Sequence, residues 1–420
     1  MNFEEAKKVL LAHDQMQVLE GFDDLTSDQK AGLLKQISEL DWDVIAQAKN
    51  HEKMETGALS PLPALTVSEI EEKKESFKKT GLEAIRAGKV AACLLAGGMG
   101  TRLGLDRPKG ELNIGLTHQL FLFEQLMKNL EEVVAEADST SDGIYQAGKT
   151  EVTIPLYIMT SEKNDKDTRA FFKEHDYFGY PEDMVHFFVQ EMAAAVDYDG
   201  KLLMEGPGRL ATSPNGNGGW FSSLAKAGYL DDLHKKGIEW INIFGVDNPL
   251  QRMCTPEFVG ATIQSGAESG SKVIAKNDPH EKMGVVCREN GHPSVIEYYE
   301  MTEDMAEERN ADGSLTYGMG VILNYLFQVE KLEKIMRDRL PVHVVEKKIP
   351  YMEKDGSIVK PEQPNGYKFE TLVVDMIRLM NDTVPYEVVR EKEFAPIKNL
   401  HGVDSLDSSR ELLKGCGIEL

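Results

Sequence analysis

From Val90 onward, short apolar runs alternate with amphipathic stretches. The runs at 90–96, 152–159 (VTIPLYIM), 185–190 (VHFFVQ), 240–246 (WINIFGV), 271–276, 284–288 and 294–299 have the length of buried strands. Between them, apolar residues recur every three or four positions over 119–135, 163–175, 218–228, 257–266 and 325–338, which predicts helices. Strands spaced by helices predict an α/β domain with a mixed, mostly parallel sheet, helices on both faces, and ligands at the carboxyl ends of the strands.

The flanks have a different texture. In residues 1–50, Phe3, Ala6, Val9 and Leu10 share one helical face and Leu33, Leu34, Ile37 and Leu40 another, with Ser27 as an N-cap. LSPLPAL (59–65) reads as a proline-marked linker, followed by a charged helix that ends at Gly88. Beyond 340 come KKIPYMEKDGSIVKP, a helix over 368–380, the strand YEVVR, the loop EKEFAPIKN and a last helix, DSSRELLKGCGIEL. These shifts predict a helical N-terminal region over 1–85, a catalytic domain over 86–340 and a short C-terminal region over 341–420.

The chain of 420 residues is long enough for a central domain of ~250 residues with smaller additions. Its 47 basic against 70 acidic residues give a net charge of −23, which disfavours nonspecific attraction to nucleic acid or an anionic membrane. An anionic substrate must therefore meet a local cluster of cations. Four separated cysteines, Cys93, Cys254, Cys287 and Cys416, form neither a metal knuckle nor a disulfide framework. The acidic N-terminus and the absence of a long apolar segment predict a cytoplasmic protein.

Three phosphate-loop patterns compete. GIYQAGKT (143–150) satisfies the Walker A pattern G-x-x-x-x-G-K-S/T, but polar EADSTSD precedes it and a strand follows, the reverse of a working strand-loop-helix order. The dinucleotide pattern G-x-G-x-x-G fails because its third glycine falls on Leu103. The third candidate, LLAGGMGTRLGLDRPKGEL (94–112), combines Gly97, Gly98 and Gly100 with Arg102 and Lys109. Its glycines suit an inward-facing nest of backbone N–H groups, and two cations crowded into one short loop suit a triphosphate.

LAGGMGTRLGLDRPKG resembles the L-x-G-G-x-G-T-R-L-G-x-x-x-P-K-G signature of the eukaryotic-type UDP-sugar pyrophosphorylases, and is most similar to the UDP-N-acetylhexosamine enzymes. The resemblance continues in order through SPNGNGGWF, FGVDNPL, GVVCR, VIEYYE, KKIPY, PNGYKFE and EFAPIKN, over roughly residues 85–405. It implies a Rossmann-like (GT-A-like) nucleotidyltransferase domain, UTP and a sugar 1-phosphate as substrates, Mg2+ as cofactor and pyrophosphate as leaving group.

The resemblance also implies roles. Arg102, with the N–H groups of Gly97 to Thr101, would bind the leaving phosphates, Lys109 the α-phosphate, and Lys398 the phosphates near the sugar phosphate. Asp247, just past an apolar strand, would hold Mg2+. The amide of Gln190 and the backbone at Gly216 would read uracil, and Asn217, Gly284 and Glu297 would bind the sugar. Two departures bear on the sugar. The family segment F-N-A-G-N-I reads YGMGVI, so Gly318 and Val321 replace both asparagines, and Leu372 and Val374 stand where N-acetylhexosamine enzymes carry two phenylalanines. N-acetylglucosamine 1-phosphate, or its galactosamine counterpart, remains the first expectation because Asn217 and Glu297 are kept. The alternatives are a glucose 1-phosphate or broad UDP-sugar enzyme, and a UDP-sugar binding protein without turnover. With no β-rich tail after PIKN, a monomer or weak homo-oligomer is expected.

Overall fold

The structure, a computed structural model, describes residues 1–50, 57–138 and 143–420, and residues 139–142 of the polar EADSTSD stretch lie outside them. The chain divides into two compact units. The larger comprises Thr56–Gln190, Trp220–Arg339 and Val374–Leu420. The smaller gathers Met1–Glu55, Glu191–Gly219 and Leu340–Val373.

The larger unit is built on a ten-stranded sheet. In chain order its strands are β1 (Leu59–Pro61), β2 (Val90–Leu95), β3 (Leu156–Thr160), β4 (Val185–Val189) and β5 (Trp240–Gly245), then β6 (Ser269–Ala275), β7 (Val285–Glu289), β8 (His292–Ile296), β9 (Met319–Gln328) and β10 (Thr383–Glu387). The order runs β1-β7-β9-β5-β2-β3-β4, with β6 joining β9 to β10 and β8 on β7. β5, β2, β3 and β4 run parallel, while β9 is antiparallel to β5, β6 and β7. All six residues of β2 and of β5 are buried, as expected for central strands covered on both faces, where apolar runs replace alternation.

Helices α1 (Val67–Arg86), α2 (Leu122–Ala137), α3 (Asp165–Glu174), α4 (Pro256–Ser265) and α5 (Val329–Asp338) complete this unit's main framework. A capping box starts α1: Thr66 Oγ1 accepts from Glu69 N, and Glu69 Oε2 accepts from Thr66 N at 2.9 Å. α1 and α4 cross in backbone contact, because a Cβ at Gly81 or Gly260 would lie within 1.9 Å of the Pro256 or Phe77 carbonyl oxygen, respectively. The largest core cluster collects Phe123, Phe172, Phe244 and Phe258 around the sheet.

In the smaller unit, helices Phe3–Ala12, Ser27–Ser38 and Trp42–Asn50 bury Ala6, Leu10, Leu33, Ile37 and Ile45 against Ala194, Val196, Leu202, Leu210 and Phe369. A three-stranded sheet of His343–Lys347, Gly366–Glu370 and Val196–Asp197 belongs to the same unit. The N-terminal helices are thus part of a core made from three separate chain segments. Boundaries at 85 and 340 follow chain order and do not anticipate this grouping.

Several elements differ from expectation. β9 runs through residues whose periodicity predicts a helix over 325–338: pairing with β5 and β6 carries the strand to Gln328, and α5 starts only at Val329. Within β9 the buried Asn324 interrupts the apolar pattern, and it is satisfied by Asn242 of β5, whose Nδ2 donates to its Oδ1 at 2.9 Å. The expected helix over 368–380 is a strand to Glu370 and a short helix at Val373–Arg378, because Gly366–Glu370 pairs with His343–Lys347. YEVVR is displaced: β10 ends at Glu387, and Arg390 begins a helical turn. Thr26 rather than Ser27 caps its helix, since Gln29 completes a capping box only with Thr26. The linker at 59–65 contains β1, an edge strand on β7. Among the described residues, no helix is long and apolar enough to cross a membrane.

Candidate active site

The ends of β2, β3 and β5 are joined in register, since Ala96 N–H donates to the Met159 carbonyl at 2.8 Å and Val246 N–H to Leu95 at 3.1 Å. The glycine loop therefore starts at the carboxyl edge of the parallel strands, where an α/β sheet exposes its binding groups. Within the loop, Gly100 N–H donates to the Arg107 carbonyl at 2.9 Å and Lys109 N–H to Gly98 at 3.1 Å. Gly100 N–H is thus spent inside the loop, which corrects its expected place among the inward donors. Only Gly104 of this loop has a left-handed backbone, with φ 72°. At Gly97 and Gly100 close packing, not a reversed φ, is what a side chain would disturb. A Cβ at Gly97 would lie 3.3 Å from Gln190 Oε1, and one at Gly100 would lie 2.8 Å from Leu105 Cβ. A Cβ at Gly98 would meet no protein atom within 4 Å, so the room beside it is open.

The charged groups converge on Lys109. Partial burial pulls its ammonium below the usual lysine range, opposed by the Asp247 carboxylate and reinforced by Lys398 and Arg102. Four residues from three separate stretches of the chain thus share one electrostatic field. Among the described residues, neither Arg102 nor Lys109 is in an ion pair, whereas Lys398 Nζ sits 2.9 Å from Asp404 Oδ2 with about half its side chain exposed. Crowded cations with little internal neutralisation form a site for a polyanion.

Asp247 follows β5, and its carbonyl accepts from Ile397 N–H at 2.8 Å, which brings the PIKN segment to its side. Neighbouring Asn248 grips the same segment: its Nδ2 donates to the Glu393 carbonyl at 2.7 Å and its Oδ1 accepts from Ala395 N–H at 2.9 Å. Beneath lies an ion pair that sequence reading missed. Lys272 of β6 has a fully buried side chain, 2.6 Å from Glu393 Oε2, and donates to the Arg252 carbonyl at 2.8 Å. Its one available signal was a lysine inside the apolar run SKVIAK.

Gln190 is buried, with its side-chain amide beside Gly97. Glu297 and Gly284 are also neighbours, since a Cβ at Gly284 would lie 3.3 Å from Glu297 Oε1. The Gly284 carbonyl accepts from Val321 N–H at 2.9 Å. Gly216 and Asn217 belong to the smaller unit. There Gly216 (φ 87°) passes so close to Thr371 that a Cβ would lie 2.2 Å from its carbonyl oxygen. Asn217 Oδ1 accepts from Val373 N–H at 3.0 Å, which leaves its Nδ2 as the group able to donate to a ligand. Gly318 is tightly packed: a Cβ would lie 2.8 Å from Leu315 Cβ, so the asparagine of the family pattern would need the 310–317 loop to move.

Asp247 is the carboxylate that acts on Lys109, while Asp404 pairs with Lys398. One carboxylate suits a divalent ion that completes its shell with phosphate oxygens and water, as Mg2+ does. His280, Glu303 and Glu307, whose donor atoms also lie within 4.8 Å of one another, are all exposed. The Walker-like residues 143–150 form largely exposed turns with no helix behind them, as their context predicts.

The model of the UTP–glucose-1-phosphate uridylyltransferase family matches residues 30–411. The chain is 37% identical to UDP-N-acetylhexosamine pyrophosphorylase-like protein 1 of Mus musculus, over 92% of this chain and 78% of the relative. It is 37% identical to the UDP-N-acetylglucosamine pyrophosphorylase of Saccharomyces cerevisiae, over 84% of this chain and 74% of the relative. Its fold superimposes with a TM-score of 0.81 on the uridine diphosphate N-acetylglucosamine pyrophosphorylase of Trypanosoma brucei, at 27% identity, covering 98% of this chain and 84% of that one. The chain belongs to the UTP–glucose-1-phosphate uridylyltransferase family, and its reaction class is nucleotidyl transfer.

Proposed function

We propose that the protein joins UTP and N-acetylglucosamine 1-phosphate to give UDP-N-acetylglucosamine and pyrophosphate. The observation that carries this reading is the placement of Lys109 in the joint field of Arg102, Lys398 and Asp247, at the strand ends of a chain whose net charge is −23. The relatives' names supply the sugar: the yeast and trypanosomal proteins are N-acetylglucosamine enzymes.

A phosphate oxygen of the sugar phosphate attacks the α-phosphorus of UTP, and the bond to the β-phosphate bridging oxygen breaks, releasing pyrophosphate. No covalent nucleophile is needed, so catalysis rests on alignment and charge neutralisation. Lys109 lies against the α-phosphate, where charge builds. Arg102 and the loop N–H groups hold the leaving phosphates, and Lys398 exchanges its Asp404 partner for the sugar phosphate. Asp247 would hold Mg2+, which when bound neutralises phosphate charge. Gln190 reads the uracil edge, and Glu297 accepts from a sugar hydroxyl.

The test is pyrophosphate release from UTP and N-acetylglucosamine 1-phosphate with Mg2+. Lys109→Ala is expected to lower kcat by about 100-fold or more, the usual effect of removing one transition-state donor. Release that is absent in the native protein, or unchanged in Lys109→Ala, overturns the proposal.

A further inference from the structure

Asn164 is fully buried and stands at the N-cap of α3, yet its side chain makes no capping bond to that helix. It is used elsewhere. Oδ1 accepts from Ser161 N–H at 2.7 Å and from Ser161 Oγ at 3.0 Å. Those donors fix the amide orientation, so Nδ2 faces the glycine loop. It donates to the Ala96 carbonyl at 2.8 Å and to the Gly98 carbonyl at 3.3 Å.

The consequence follows from peptide geometry. In a trans peptide the carbonyl of one residue and the N–H of the next point in opposite directions. With the Ala96 carbonyl drawn onto Asn164, and the Gly98 carbonyl shared between Asn164 and the Lys109 N–H, the N–H groups of Gly97 and Met99 face away from Asn164. The loop is open beside Gly98, the residue between them, where an added Cβ would meet nothing.

We propose that Asn164 is a positioning residue for the nucleotide: it holds two loop carbonyls so that the N–H groups of Gly97 and Met99 face the phosphates of UTP. This rests on the UTP-dependent reading above. Asn164 touches no reacting atom and acts only through the loop.

The test is calorimetric titration of Asn164→Asp with UTP and with pyrophosphate, beside thermal unfolding. The aspartate keeps the acceptor for Ser161 and loses both donors to the loop. Its Kd for UTP and for pyrophosphate is expected to rise about tenfold or more, as for loss of hydrogen bonds at a charged ligand. Ser161→Ala, which perturbs the same turn and leaves the loop donors in place, is expected to keep the native Kd whatever its Tm. Should the aspartate variant not fold, Asn164→Thr retains one donor and is expected to weaken UTP binding by a smaller factor. A variant Kd within twofold of native, or an equal rise in Ser161→Ala, overturns the inference. Native protein that does not bind UTP overturns the functional reading instead.

Discussion

Lys272→Met removes the buried cation under the Asp247 turn. Its ammonium lies 2.6 Å from Glu393 and 2.8 Å from the Arg252 carbonyl, and 5.4 Å from the Phe258 ring centroid. Methionine fits the stem but leaves a mostly buried carboxylate without its partner and a carbonyl with one donor fewer. Breaking one side of a buried pair costs about 3–5 kcal/mol, most of it from the stranded charge. Replacing both members, Lys272→Met with Glu393→Gln, removes that charge and is expected to recover at least about 2 kcal/mol relative to additivity. Guanidinium unfolding at pH 7.5, followed by the fluorescence of Trp220 and Trp240 in the larger unit, reads these differences. Because Glu393 begins the segment that carries Lys398, the single variant should also lose activity while still folded. A single-variant loss below about 1 kcal/mol, or strict additivity in the double variant, would refute the reasoning.

Lys109 supplies a pH test. Its pKa in the free protein lies below the ordinary 10.5, because burial and the neighbouring Lys398 and Arg102 disfavour its charge. The charged form binds phosphate, so kcat/KM for UTP should fall as pH rises through that lowered value, and the limb should vanish in Lys109→Arg, which does not titrate there. Glycine substitutions separate ligand space from protein space. Gly98→Ala should keep the native Tm and weaken UTP binding, whereas Gly110→Ala, whose Cβ would lie 2.2 Å from the Phe123 ring, should unfold more easily. Equal Tm losses would contradict that division. Burial pushes the Glu131 carboxyl from 4.5 up to about 7, and its Oε1 has no hydrogen-bond partner. A folded-state pKa raised in this way gives stability that is full below 4.5 and is lost as pH rises through about 7. Glu131→Gln should therefore raise Tm at pH 8 and leave it near native at pH 4.5, and a uniform shift would refute the assignment.

The glycine loop, Asp247 and PIKN were legible because each is a contiguous motif whose residues have the chemistry that a triphosphate needs. The parallel part of the sheet was legible too, since β2 is apolar throughout and β5 is apolar but for Asn242, which leaves few other readings. Asn164 was not, because its meaning lies in carbonyls 66 and 68 residues away, and a lone polar residue before a helix reads as an ordinary cap. Lys272 was hidden by a still greater distance, with Glu393 lying 121 residues on. Which glycine serves which end was not legible: φ is reversed at Gly104, Gly100 is closely packed, and Gly98 opens onto free space. The smaller unit escaped because its core draws on three segments, and hydrophobic periodicity identifies a buried face without naming what covers it.

The most direct test of the central claim is pyrophosphate release with UTP and Mg2+ across the 1-phosphates of N-acetylglucosamine, N-acetylgalactosamine, glucose and galactose. The account predicts turnover, with kcat/KM for N-acetylglucosamine 1-phosphate exceeding that for glucose 1-phosphate by more than about tenfold, or 1.4 kcal/mol. A preference for glucose 1-phosphate, or no release with any of the four, would contradict it.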